Sequence, residues 1–239
     1  MYENAGEAEI YDLLYQDRKD YDAEAARVTG LVRERKPDAA TLLDVACGTG
    51  IHLAGFAKRF ARVAGLEVSE PMLARAGERL SGVPLHHGDM RTFVLGETFD
   101  AVVCMFSSIG YLRGTTDLDS AVLAMARHLA EGGVLVIEPW YFPDTFIDGY
   151  VSAHAVRNSA QGIARVAHST RQGDATRMEI HYLLGDAATG VRHRSEVDYL
   201  TLFSRADYED AFARAGLSAE YLTLGDGTPG FFVAVATPR

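Results

Sequence analysis

The chain has 239 residues, 48% of them hydrophobic and 23% charged, which suits one well-buried core with a small attached subdomain. Its formal net charge of −10, with no basic run, argues against polymeric nucleic acid, whose phosphates need a positive face. No stretch reaches the roughly 18 apolar residues of a membrane span, and the acidic start MYENAGEAEIYD lacks a signal-peptide pattern, which predicts a cytoplasmic protein.

The first forty residues read as helices. Over residues 20–36, Tyr21, Ala25, Val28, Leu31 and Val32 recur at helical spacing with charges between them. The apolar run 41–46 then enters Cys47-Gly48-Thr49-Gly50, which predicts a buried parallel strand ending in a glycine turn. A helix follows over 52–60 and a second strand over 62–66, ending at Glu67. Ser69 and Pro71 mark the start of a helix reaching residue 80. Residues 85–89 form a short third strand and turn, and 99–105 a fourth strand. A helix over 117–129, a turn at Gly132-Gly133 and a fifth strand over 134–139 complete the alternation. Such alternation predicts an α/β fold, a doubly wound and mostly parallel sheet with right-handed crossovers.

After Pro139 the texture changes. Residues 163–169, 176–184 and 191–203 alternate and are rich in β-branched, aromatic and charged side chains. They predict an antiparallel β insertion over about residues 140–205. A helix over 207–215 stops at Gly216, and strands 221–224 and 231–236 can close the chain as a hairpin. The expected organisation is a single catalytic domain over 1–239. It comprises a helical lid over 1–40, a cofactor-binding core over 41–139, the insertion, and the closing helix and hairpin over 206–239.

The chemistry concentrates at the glycine turn. Gly48 and Gly50 let a ligand approach the backbone between strand and helix. Glu67 stands at the end of the second strand, where a carboxylate can accept hydrogen bonds from a ribose. A dinucleotide loop reads GxGxxG, and its third glycine is Leu53 here, which argues against a nicotinamide oxidoreductase. Cys47 and Cys104 read as buried small side chains. Two cysteines without nearby histidine pairs make neither a disulfide framework nor a metal site.

The pattern Asp44-Val45-Ala46-Cys47-Gly48-Thr49-Gly50, with Gly88-Asp89-Met90 and Phe99-Asp100-Ala101-Val102, resembles class I S-adenosylmethionine-dependent methyltransferases. Four further segments are 105–110, Glu138-Pro139-Trp140-Tyr141-Phe142-Pro143, 165–169 and 175–181. Together they are similar to the N,N-dimethyltransferases of dTDP-amino-deoxysugar biosynthesis, the desosamine and mycaminose type that serves macrolide-type natural products. The likeness covers nearly the whole chain. It implies an N-methyltransferase that uses S-adenosyl-L-methionine, takes a small nucleotide-sugar substrate and forms a homodimer. It places Tyr11, Lys19, Ala46, Gly48, Gly50, Glu67, Asp89, Met90 and Met105 at the cofactor. Tyr2, Ser107, Trp140, Tyr141, Phe142, Arg165, Ser169 and Arg177 would face the substrate, and Tyr2 or Tyr111 would orient the amine or relay its proton. Arg165 can fork onto a diphosphate, and Trp140 offers a flat wall for a base. His168 and His181 read as pocket or strand residues.

Two departures from the family pattern stand out. Tyr111 follows the Ser-Ser-Ile-Gly run where some members carry histidine. The stretch 225–230, Gly-Asp-Gly-Thr-Pro-Gly, lacks the arginine that members place there. The residues alone also leave open a methyltransferase of another small metabolite and a cofactor-binding protein without catalysis.

Overall fold

The computed structural model describes residues 5–15, 19–225 and 229–237. Tyr2 and positions 226–228 of the glycine-rich stretch lie outside the described residues. The elements run α1 (Ala5–Tyr15), α2 (Tyr21–Arg35), β1 (Thr41–Val45), α3 (Ile51–Ala57), β2 (Arg62–Glu67), α4 (Glu70–Arg79), β3 (Leu85–His87) and β4 (Phe99–Cys104). A short 3-10 turn over Ser108–Tyr111 precedes α5 (Thr115–Arg127) and β5 (Leu129–Ile137). Then come β6 (Tyr150–Arg157), β7 (Gln161–Gln172), β8 (Ala175–Asp186), β9 (Gly190–Thr201), α6 (Arg205–Arg214), β10 (Ala219–Leu222) and β11 (Phe231–Val235).

A seven-stranded sheet has the order β10-β11-β5-β4-β1-β2-β3. Its first five strands in sequence are parallel, and β11 pairs antiparallel with both β5 and β10. The central strands are apolar on both sides because helices cover both faces. Leu43, Val45, Val102 and Cys104 pack toward α5 and α6, while Leu42, Ala101 and Val103 pack toward α2 and α3. The strand order reverses between β1 and β4, and in open α/β sheets ligands bind outside the carboxyl ends of the strands at such a point.

Local chemistry sets the helix ends. Asp20 accepts from the Ala23 amide at 2.9 Å to start α2, and Ser69 accepts from Met72 to start α4 with Pro71 in its first turn. Gly216, at φ 78°, ends α6, where the Leu217 amide reaches back 2.9 Å to the Phe212 carbonyl. Gly132-Gly133 is not a turn before the fifth strand. It is a bulge within β5, between the pairings of Leu129 with Phe99 and Val134 with Ala101. Gly132 has φ 65°, and a Cβ on Gly133 would lie 2.8 Å from the Ala130 carbonyl.

The insertion is a four-stranded antiparallel sheet in the order β6-β7-β8-β9. Three of its strands match the sequence expectation. The fourth, β6, carries no sequence signal of its own, because it has no fully buried position. One face of this sheet meets α1, where Leu14 and Tyr15 pack with Ile163, Ala167, Ile180 and Tyr182. The other face exposes Val166, Leu183, Val197 and Tyr199.

Gly65 on β2 ties the fold to the glycine turn. A Cβ there would sit 2.7 Å from Cys47 Sγ, 2.9 Å from Leu53 and 3.0 Å from Leu85. Gly65→Ala therefore overpacks the seat of the turn and should destabilise the protein by about 1–3 kcal/mol. A lowered Tm in thermal unfolding checks this.

Candidate active site

A cavity of about 630 Å³ opens where the carboxyl ends of the parallel strands meet the inner face of the four-stranded sheet. Its floor is built from Asp44 on β1, the turn residues Ala46, Cys47 and Gly48, Glu67 at the end of β2, and Met105 after β4. Ala46, Gly48 and Gly50 have φ of 59°, 56° and 78°, a left-handed conformation that costs a side-chain-bearing residue strain. Glu67 holds the turn in place. It accepts from the Gly48 amide at 3.0 Å and the Ser69 amide at 2.8 Å. Burial raises its pKa, against the pull of those amides.

Asp44 is 1% exposed, and neither carboxylate oxygen has a hydrogen-bond partner among the described residues. Burial, then the charge of Glu67, pushes its pKa well above the carboxylate range. A buried anion without a partner is costly, so this position suits a cationic ligand group.

The roof comes from α1 and the segment after it. Tyr11 and Tyr15 line the cavity, with rings 4.5 Å apart, and Tyr15 meets the Phe106 ring edge-on at 5.5 Å. Asp12 anchors α1 to the glycine turn through Thr49 Oγ1 at 2.5 Å and to α4 through Arg79 at 3.1 Å. Lys19 pairs with Glu24 at 2.8 Å and Glu138 at 3.4 Å and lies over the Phe106 ring. Phe106 and Ser107 have φ of 55° and 57°. Glu138 holds this unfavourable turn by accepting the Phe106 amide at 2.6 Å, and Ser107 donates to the Pro139 carbonyl at 2.8 Å.

The four-stranded sheet supplies the far wall. Strand alternation turns Arg165 and Ser169 of β7, Met178 and Ile180 of β8, and Asp198 and Leu200 of β9 toward the cavity. Arg165 is 5% exposed. It reaches Ser152 Oγ at 3.2 Å and Met178 Sδ at 3.4 Å, and its Nε has no partner among the described residues. Trp140 also lines the wall, held by a 3.2 Å bond from Nε1 to Thr176, and Tyr141 stands half-exposed beside it. Tyr111 donates to Asp198 at 3.3 Å, and burial and that carboxylate keep its phenol protonated.

Most of the expected site residues thus converge: Tyr11, Lys19, Ala46, Gly48, Glu67, Met90, Met105, Ser107, Tyr111, Trp140, Tyr141, Arg165 and Ser169 all line this cavity. Phe142 does not. It is 3% exposed and packed against Tyr208, Tyr221 and Phe232 in the core. Arg177 also departs from expectation. It alternates with Met178 on β8, so it points to the outer face and pairs with Glu179 at 2.9 Å. His168 and His181 lie on that outer face too. Gly50, the N-cap of α3, and Asp89, paired with Arg91 at 2.6 Å, are not among the residues that line the cavity. Sequence reading passed over Asp44, Phe106, Glu138 and Asp198. An aspartate within an apolar strand was the one signal available for Asp44. Among the described residues, no His, Cys, Asp and Glu cluster could hold a metal ion, and no helix is long and apolar enough to cross a membrane.

The Asp44 carboxylate makes stability depend on pH. Its folded-state pKa is raised, so the fold loses stability as pH rises from the ordinary carboxylate range toward that raised value. Asp44→Asn should raise the stability of the ligand-free protein at neutral pH by about 1–3 kcal/mol. The gain should shrink as pH falls into the ordinary carboxylate range, which denaturant unfolding at several pH values checks.

Comparison with known proteins agrees with this architecture. Residues 42–133 match the model of a methyltransferase domain. The chain is 55% identical over 236 residues to dTDP-3-amino-3,4,6-trideoxy-alpha-D-glucopyranose N,N-dimethyltransferase of Streptomyces venezuelae, covering 98% of this chain and 99% of that one. It is 50% identical to dTDP-3-amino-3,6-dideoxy-alpha-D-glucopyranose N,N-dimethyltransferase of Streptomyces fradiae, covering 95% and 90%. Among solved structures, Streptomyces venezuelae DesVI superposes with a TM-score of 0.92 at 55% identity, over 96% of this chain and 98% of that one. CalS10, an amino pentose methyltransferase from Micromonospora echinaspora solved with S-adenosylmethionine bound, gives 0.87 at 51% identity, over 99% and 98%. The chain belongs to the S-adenosylmethionine-dependent methyltransferases, in the family of the dTDP-amino-deoxysugar N,N-dimethyltransferases.

Proposed function

We propose that this protein methylates the amino group of a dTDP-linked amino-deoxysugar, twice, to give the dimethylamino sugar. The observation that carries this reading is one cavity lined by a buried acid and a buried base, each with polar atoms that no described residue satisfies. Asp44 on the floor lacks a cation, and the Arg165 Nε on the sheet wall lacks an acceptor. The floor suits S-adenosylmethionine. Asp44 would meet its positively charged methionyl end, the Gly48 turn would pass beside it, and Glu67 would take the ribose. Met90 would lie at the adenine. The wall suits a nucleotide sugar, with Arg165 at the diphosphate and Trp140 and Tyr141 beside the base.

When bound, S-adenosylmethionine supplies a methyl group on a sulfonium, a leaving group that is already activated. The residues of this chain supply position. Holding the attacking nitrogen about 3 Å from the methyl, and in line, can account for roughly 7–11 kcal/mol of barrier. Tyr111, whose hydroxyl donates to Asp198, can accept an N–H of the amine and so orient it, but kept protonated it is a poor base. Tyr11, Tyr15 and Phe106 close an apolar roof that keeps water from the reacting atoms.

The test is to incubate the protein with S-adenosylmethionine and a panel of dTDP-3-amino- and dTDP-4-amino-deoxysugars and to read product masses. A gain of two methyl masses on one sugar is expected. No product from any of them, with S-adenosylmethionine bound in calorimetry, would overturn the amino-sugar reading. Arg165→Ala should weaken dTDP binding by roughly 10- to 100-fold, the value of a charge-assisted hydrogen bond, with S-adenosylmethionine binding unchanged.

A further inference from the structure

The sheet wall carries a second acidic group, Asp198, whose hydrogen bond among the described residues is a long one from Tyr111. Asp198 lies on β9, where it is the register partner of Met178 on β8. Met178 in turn pairs with Ser169 on β7, so one row of inward side chains crosses three strands. The Arg165 guanidinium runs along the strands until its Nη2 lies 3.4 Å from Met178 Sδ, the register neighbour of Asp198. A cationic and an anionic group therefore stand close together on one wall. Among the described residues they form no ion pair of 4.0 Å or less.

The other carboxylate on this face is already engaged. Glu196 accepts from the Tyr182 hydroxyl at 2.7 Å and from Arg194 at 2.9 Å. Asp198 instead lines the cavity and receives the Tyr111 hydroxyl at 3.3 Å, a long contact for an O–H donor. Tyr111 ends the 3-10 turn that follows β4, beside the floor where the methyl donor would lie. Asp198 thus sits where the two halves of the cavity join. A substrate carrying a diphosphate and an amine has the complementary pair of charges.

We propose that Asp198 receives the amino group of the substrate, fixing which sugar nitrogen faces the methyl donor and selecting an amine over a hydroxyl there. This rests on the amino-sugar reading above. As the N–C bond forms and the S–C bond breaks, with its electron pair leaving on sulfur, the nitrogen becomes cationic and then releases its proton to water. A carboxylate beside that nitrogen interacts more strongly with it in the transition state than in the neutral ground state, and such a difference accelerates the step. Burial, then Glu196, raises the pKa of Asp198, and a cationic nitrogen opposes both effects.

The test compares binding as well as turnover in the full chain. Calorimetry, with S-adenosylhomocysteine present, would measure a dTDP-amino-deoxysugar against the same sugar carrying a hydroxyl in place of the amine. The wild type should prefer the amine by about tenfold or more. In Asp198→Asn, which keeps the size of the side chain and an acceptor for Tyr111, that preference should fall to about one. Affinity for dTDP alone should stay within twofold, while kcat for the amino sugar falls at least tenfold. A wild type with no amine preference would overturn the proposal without needing any variant. So would a variant that keeps the preference, or one that loses dTDP affinity as much as turnover. If the wild type methylates no amino sugar, the functional reading itself fails, which is a different result.

Discussion

Two buried ionisable side chains with unmet polar atoms govern this molecule. Asp44 and Arg165 belong to different sheets and face one cavity. The Asp44 carboxyl oxygens and the Arg165 Nε have no hydrogen-bond partner among the described residues, so part of the desolvation penalty stays uncompensated. A protein selected only for stability would bring them together or replace them. Strands hold each in place, and on the proposed function a ligand with the opposite charges would recover the cost on binding. The cavity is in this sense pre-formed.

The surrounding architecture serves that arrangement. The parallel sheet delivers Asp44, Glu67 and Met105 to one edge because every strand in its centre ends on the same side. Glu67 then locks the glycine turn through two backbone amides. The antiparallel sheet adds a wall of alternating residues, with Arg165, Met178 and Asp198 inward and Val166, Arg177 and Val197 outward. Above them, Asp12 and Lys19 tie the roof to the floor. The turn at Phe106 and Ser107 stores backbone strain, and Glu138 and Pro139 hold it there.

What could be read in the sequence was local. The strand, glycine turn and helix beginning at Thr41 are consecutive, and Gly48 and Glu67 act within one βαβ unit. Their places relative to one another follow from chain geometry within that unit. Phe142 and Arg177 were misplaced for contrasting reasons. Phe142 sits beside Trp140 in sequence, yet the chain turns after residue 140 and the ring drops into the core against Phe232. Arg177 lies next to Met178, and strand alternation alone sends the two to opposite faces. The register that decides which one faces inward is set by pairing with β7 and β9. Edge strand β6 lacked a buried face, and the Gly132-Gly133 pair looked like a turn because a bulge and a turn use the same glycine conformations.

By itself, then, the sequence determined the fold class, the glycine turn and the acidic group after the second strand, since periodicity and short-range spacing encode them directly. Only the tertiary structure decided that Asp198, on the last strand of the insertion, meets Tyr111 from the 3-10 turn after β4, 87 residues away. It also decided that the Arg165 Nε is left without a partner among the described residues while Arg177 finds Glu179. The reason is physical. A side chain's charge is written in its residue type, but its partner and its dielectric surroundings come from which strands pair and which faces close over one another.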